Sequence, residues 1–158
     1  MGTTLLRVLI VDDFKPFVRL VVSILEQDAG QRVVGHASDG LEAVRKAEQL
    51  QPDLILLDIG LPHLNGIEAA RRIRKMAPAA KILFVTAEST PDVMQEALLL
   101  GAAGYVVKSR AGSELLPALE ALRRGMRFVS GGFSAQNFNS LLAIILIKEL
   151  RQIGWKYA

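Results

Sequence analysis

The sequence predicts an α/β protein built on a doubly wound, five-stranded parallel sheet with helices on both faces. Three observations carry that expectation. Short, β-branched apolar runs recur along the chain, as strands covered on both faces do. Segments of helical period separate them, the pattern of repeated strand–helix–strand units. The alternation is strict for five rounds and then stops.

Taken in order, Leu6 to Val11 is the first strand and Pro16 to Gln27 the first helix. Arg32 to Ala37 and Gly40 to Gln51 form the second pair, Leu54 to Leu57 and Gly66 to Met76 the third. Lys81 to Val85 and Pro91 to Gly101 form the fourth, Gly104 to Val107 and Glu114 to Arg124 the fifth. Pro91 suits a first helical position, Ser113 an N-cap, and Gly101 and Gly125 helix ends. Beyond the fifth round, Val129 to Ser140 is rich in Gly, Ser and Asn and reads as a linker. Leu141 to Ala158 predicts one more helix, apolar on most sides. The chain therefore divides into one domain over residues 5–127 and a linker with an apolar tail over 128–158, in which no domain is recognisable. A helix apolar nearly all round needs cover. The domain's own surface could supply it, and so could a second copy of the tail; self-association as a homodimer is favoured over a disordered remnant left by a lost domain.

With 158 residues, 51% hydrophobic and 22% charged, the composition is that of an ordinary globular protein. The net charge of +3 is unevenly placed: residues 1–122 hold 13 Lys and Arg against 15 Asp and Glu, so the basic excess lies in the tail. That favours a solvated end over a nucleic-acid footprint. Cysteine is absent, which excludes disulfides and thiol metal sites. The apolar run Val8 to Val11 ends at Asp12 and Asp13, too early for a signal peptide, and Leu141 to Ile147 is too short to span a membrane. A cytoplasmic protein with no membrane partner is the expectation.

The chemistry sits where strands end. Asp12 and Asp13 close the first strand and Asp58 the third, and adjacent strands would bring all three acids into one pocket. One such acid commonly just starts a helix; three together repel, and call for a cation. A hard divalent ion such as Mg²⁺, or Mn²⁺, suits oxygen ligands of this kind and accepts phosphate oxygens beside them. Thr86 ends the fourth strand and Lys108 the fifth, a hydroxyl and a mobile cation able to hold the oxygens of a transferring phosphoryl group. Nucleotide loops of the Gly-x-x-x-x-Gly-Lys-Ser/Thr or Gly-x-Gly-x-x-Gly kind are absent, and His36 and His63 are too scattered to bind a metal.

These residues resemble the receivers of bacterial two-component response regulators. The likeness runs from Leu5 to Arg127, through Leu9-Ile10-Val11-Asp12-Asp13, Leu57-Asp58-Ile59-Gly60-Leu61-Pro62, Asn65-Gly66, Val85-Thr86-Ala87 and Gly101-Ala102-Ala103-Gly104-Tyr105-Val106-Val107-Lys108. It implies a flavodoxin-like (βα)5 fold with strand order 2-1-3-4-5, and Asp58 as phosphoacceptor. Asp13 and Asp58 would be direct metal ligands, Asp12 a ligand through water or a supporting acid, and the main-chain carbonyl of Gly60 a further ligand. Thr86 and Lys108 would hold the phosphoryl oxygens, and Ala87 would stay small to admit the group. Thr86 and Tyr105 would form the switch, repacking the surface of the fourth helix, fifth strand and fifth helix. The donor would be a phosphohistidine on a histidine kinase or phosphotransfer protein.

Two positions depart from the family pattern. Ser109 follows Lys108 where many members have proline, and Gly60 has no side chain to orient a hydrolytic water, leaving Glu88 as the polar neighbour. Gly101 to Tyr105, Leu122 to Gly125 and Phe128 to Ser130 resemble the branch that carries a LuxR-type helix-turn-helix. DNA contact would need that output domain, which does not follow in this sequence, so a transcription regulator and a stand-alone receiver acting through protein contacts both stay open. An aspartate-nucleophile phosphatase would need Asp-x-Asp on the first strand, and Asp12-Asp13-Phe14 does not supply it.

Overall fold

The computed structural model describes residues 5–130; the apolar tail, and the self-association expected of it, lie outside them. Strands β1 (Leu6–Val11), β2 (Gln31–Ala37), β3 (Leu54–Leu57), β4 (Lys81–Thr86), β5 (Gly104–Val107) and β6 (Phe128–Val129) form one parallel sheet. Helices α1 (Lys15–Leu25), α2 (Gly40–Leu50), α3 (Gly66–Met76), α4 (Pro91–Leu99) and α5 (Ala111–Arg123) connect them.

Alternation of side chains along each strand produces two cores. Leu9, Val11, Ile55, Leu57, Ile82 and Phe84 face α2, α3 and α4, where Ala43, Ala47, Ile67, Ile73 and Met94 are buried against them. Val8, Ile10, Leu54, Leu56, Leu83 and Val85 face α1 and α5 and meet Val21, Ile24, Leu115 and Leu119. Because both faces are covered, β3 is apolar and buried at every position, and β1 is so from Val8 to Val11.

The strand order is β2-β1-β3-β4-β5-β6. The expected order 2-1-3-4-5 is present, but the sheet has six strands, not five. Gly125, at φ +75°, closes α5, and the chain turns back so that Phe128 pairs with Gly104 and Val129 with Tyr105. A Cβ at Gly104 would fall 2.5 Å from the Phe128 carbonyl oxygen, so the missing side chain is what admits the sixth strand. The polar composition that follows Ser130 hid the β-forming pair Phe128–Val129 in a predicted linker.

Helix ends differ by up to three residues from expectation. Pro91 lies in the first turn of α4, and Gly101 has the left-handed φ of +95°. Ser113 is not an N-cap: α5 begins at Ala111, directly after a 3₁₀ turn over Lys108–Arg110, and the Ser113 hydroxyl bonds back to the Arg110 carbonyl. Asp39 and Asn65 instead cap α2 and α3, accepting from the backbone N–H of Glu42 and Glu68.

Ser130 fastens the edge. Its N–H donates to the Tyr105 carbonyl at 2.8 Å, and its hydroxyl accepts from Val107 N–H at 3.1 Å and donates to Glu114. The residue is 1% exposed. Ser130→Ala leaves the Val107 N–H buried without its acceptor, so a loss of about 1–3 kcal/mol in unfolding free energy is expected from urea denaturation.

Candidate functional site

In this strand order the connections leave β1 toward one edge of the sheet and return to β3 on the other side. The crevice beyond the β1 and β3 carboxyl ends is therefore the switch point at which such sheets bind ligands. Asp12 follows β1 and Asp58 follows β3, and their backbones are registered by Asp12 N–H on Ala37 O and Asp58 N–H on Val11 O, both at 3.0 Å. Gly66 holds the second acid from below: a Cβ there would fall 2.0 Å from the Asp58 carbonyl oxygen.

One carboxylate oxygen from each of Asp12, Asp13 and Asp58 lies within 4.8 Å of the others. Asp12 is 2% exposed and Asp58 6%, whereas Asp13 is open to solvent. Lys108 reaches across from the end of β5, its Nζ 2.7 Å from Asp12 Oδ2 and 3.2 Å from Asp58 Oδ2. Only the Asp58 contact is a directed hydrogen bond, so the buried Asp12 Oδ2 has an ion-pair partner but no aligned donor among the described residues. Asp12 Oδ1 accepts from the Phe14 N–H at 2.8 Å.

Charge is unbalanced here. Burial raises the Asp12 pKa, and the donors Lys108 and Phe14 N–H only partly oppose it. For Lys108 burial acts downward, but the close carboxylates of Asp12 and Asp58 outweigh it and raise the ammonium. One ammonium thus faces three acids, and the pocket has room for more positive charge. Its donor set, all carboxylate oxygen with one buried oxygen lacking an aligned donor, fits a hard divalent cation.

A cleft of about 350 Å³ opens beside Asp58, lined by Gly60, Thr86, Ala87, Glu88 and Lys108 among others. Thr86 is buried at the end of β4, its Oγ1 accepting from Glu88 N–H at 3.3 Å. Ala87 and Gly60 are exposed, and a Cβ at Gly60 would meet nothing within 4 Å. Tyr105 is not in the cleft. It is fully buried beside Phe84, with its hydroxyl donating to the Glu88 carbonyl at 2.6 Å, and burial pushes its pKa far up. No described peptide bond is cis, so the bond before Ser109 is trans.

The six residues expected at the acid pocket and cleft, Asp12, Asp13, Asp58, Gly60, Thr86 and Lys108, are together, with Ala87 at the rim. Phe17 was not anticipated: its ring lies 4.7 Å beneath Lys108 Nζ. An aromatic in the first turn after an acid pair was the available signal, but the sequence reading placed Phe17 only within the first helix. A second hollow of about 370 Å³, lined by Leu5, Asp53, Lys81 and Arg123, lies at the amino-terminal ends of the strands and holds no acid cluster.

The family described as response regulator receiver domain matches residues 8–120. The chain belongs to that family. It is a receiver domain of two-component phosphorelay signalling, a regulatory module. Chemotaxis protein CheY of Thermotoga maritima is 38% identical over 118 residues, covering 75% of this chain and 98% of that protein. Response regulator GacA of Pseudomonas viridiflava is 33% identical over 132 residues, covering 84% of this chain and 62% of that protein. The chain thus spans nearly all of one relative and under two thirds of the other. Among solved structures, a LuxR-family two-component response regulator from Aurantimonas sp. SI85-9A1 superposes with a TM-score of 0.77 at 32% identity, over 90% of this chain and 99% of that one. Among the described residues no helix is long and apolar enough to cross a membrane.

Proposed function

We propose that this receiver accepts a phosphoryl group on Asp58 from a histidine kinase or phosphotransfer protein and passes the change to an output through the α4-β5-α5 surface. The observation that carries the reading is the position of Asp58. It is the one acid of the cluster that also lines the open cleft, with Lys108 already bonded to it at 3.2 Å. A carboxylate oxygen of Asp58 attacks phosphorus, the P–N bond of the donor phosphohistidine breaks, and the leaving imidazole takes up a proton. Lys108 and the Thr86 hydroxyl then hold phosphoryl oxygens, and the small Ala87 leaves the approach clear.

Asp13, Asp58 and the Gly60 carbonyl would hold Mg²⁺ or Mn²⁺ directly, with Asp12 acting through water. When bound, such an ion supplies positive charge beside the phosphoryl oxygens. The switch runs through Glu88. Thr86 Oγ1 accepts from its N–H and the Tyr105 hydroxyl donates to its carbonyl, so turning Thr86 toward a phosphoryl group disturbs both ends of that residue. In the cytoplasm, the output is transcription control, by likeness to a putative transcriptional regulator of Pseudomonas aeruginosa. Action through protein contacts without DNA is the second reading, supported by the 98% coverage of CheY. On either reading residues 5–127 form the receiver, and the short strand β6 joins its edge.

Acetyl phosphate with Mg²⁺ is expected to add one phosphoryl group, mapped by mass to Asp58 and absent from Asp58→Asn; the same label on that variant would refute the assignment. Asp13→Asn removes one charged ligand, and calorimetric Mg²⁺ titration should show weaker binding; unchanged affinity would take Asp13 out of the ligand set. With no side chain at Gly60 to place a water, the acyl phosphate should decay slowly. Gly60→Asn, for which the structure has space, should change that decay rate, and rapid decay insensitive to the substitution would contradict the reading.

A further inference from the structure

The proposed chemistry places a demand on Lys108 that its carboxylate partners cannot meet throughout. A lysine ammonium is a point charge on a flexible four-carbon stem with three donors, and it keeps one position only while its surroundings hold it. Among the described residues Lys108 has three partners: Asp12 at 2.7 Å, Asp58 at 3.2 Å and the face of Phe17 at 4.7 Å. On that reading both acids are engaged elsewhere: Asp58 becomes an acyl phosphate, and Asp12 would be shared with a water of the bound cation. The ring neither titrates nor coordinates, so its hold on the ammonium is the same before and after transfer.

We infer that Phe17 is a positioning residue for phosphoryl transfer, whose aromatic face keeps the Lys108 ammonium over Asp58 while its carboxylate contacts are withdrawn. The inference rests on the reading of Asp58 as phosphoacceptor. Its geometry is local and rigid. Phe17 lies in the first turn of α1, where its N–H donates to the Phe14 carbonyl at 3.0 Å, and it is half-buried against the core on the α1 and α5 face. Asp12, whose side chain accepts from the Phe14 N–H, is thereby tied to the same turn, so acid and ring are set by one piece of backbone. The Lys108 side chain is 20% exposed, which leaves its ammonium partly desolvated, the condition under which attraction to a ring face is strongest.

A merely space-filling residue and an electrostatic one respond differently to substitution, and the test uses that. Phe17→Leu, Phe17→Tyr and mono-, di- and trifluorinated phenylalanine at this position are compared for the rate constant of labelling by acetyl phosphate in Mg²⁺. Fluorine withdraws density from the ring face at nearly constant shape. Leu should slow labelling about three- to tenfold, Tyr should stay within about twofold, and the fluorinated series should slow stepwise. Mg²⁺ affinity measured by calorimetry should not weaken in any of them. Labelling by the Leu variant as fast as by the parent, a flat fluorine series, or weakened Mg²⁺ binding would each overturn the inference. Mapping the label separates the two failures: a label confined to Asp58 with a flat series removes Phe17 alone, whereas a label that persists in Asp58→Asn removes the acceptor assignment with it.

Discussion

Three carboxylates forced together at the crossover of β1 and β3 are the constraint around which this molecule is arranged. Buried like charges are expensive, and the opposing cation here is one partly buried lysine. Nothing about stability requires that arrangement, because apolar residues of similar volume commonly do as well or better. The cost falls on a sheet able to bear it: Leu9, Val11, Ile55 and Leu57, the residues leading up to the acids, are all buried in the core. Burial raises the Asp12 pKa, Lys108 and the Phe14 N–H opposing it only in part, and the excess of acids makes the pocket attractive to a divalent cation.

From this pocket two short covalent and hydrogen-bonded routes run to the edge of the sheet. One passes from Thr86 through the backbone of Glu88 to the Tyr105 hydroxyl. The other follows Lys108 back one residue to Val107. Both arrive at Ser130, which bonds the Tyr105 carbonyl and the Val107 N–H. The residue where the described chain ends is thus fastened on either side of Val106, close to the two elements that the proposed chemistry would move. Spatial continuity of this kind is a route only if its parts have two arrangements. Tyr105 meets the first condition for that, since a fully buried ring with one hydrogen bond can change partners only as a discrete repacking.

How far this could be read from the sequence follows from the range over which each feature is determined. β1, β3, β5 and α3 have the predicted limits because local punctuation sets them: acids or a lysine at strand ends, and Asn65-Gly66 at a helix start. The acid pocket was legible for the same reason, its members each closing a strand. β6 was not, because its existence depends on a missing side chain at Gly104, twenty-four residues away. Ser113 was misplaced as a cap because the 3₁₀ turn at Lys108–Arg110 starts the helix early. Phe17 was hidden by ambiguity: an aromatic at helical spacing is equally a core residue, and only the reach of Lys108 across the crevice gives it a second role.

The surroundings of Asp58 are crowded on one side and open on the other, and this asymmetry connects fold to chemistry. Beneath it Gly66 approaches so closely that no side chain fits, which fixes the backbone from which the acid projects. Above it Gly60 has empty space and Ala87 offers one methyl group, so the carboxylate faces a cleft that a phosphoryl donor can enter. A nucleophile needs both conditions, since orientation lowers the barrier only where the partner can also approach. Small residues serve opposite ends here: Gly66 allows contact with backbone, while Gly60 and Ala87 prevent contact with side chains. Residue size around Asp58 therefore sets access, and the charges of Asp12, Asp13 and Lys108 set what enters.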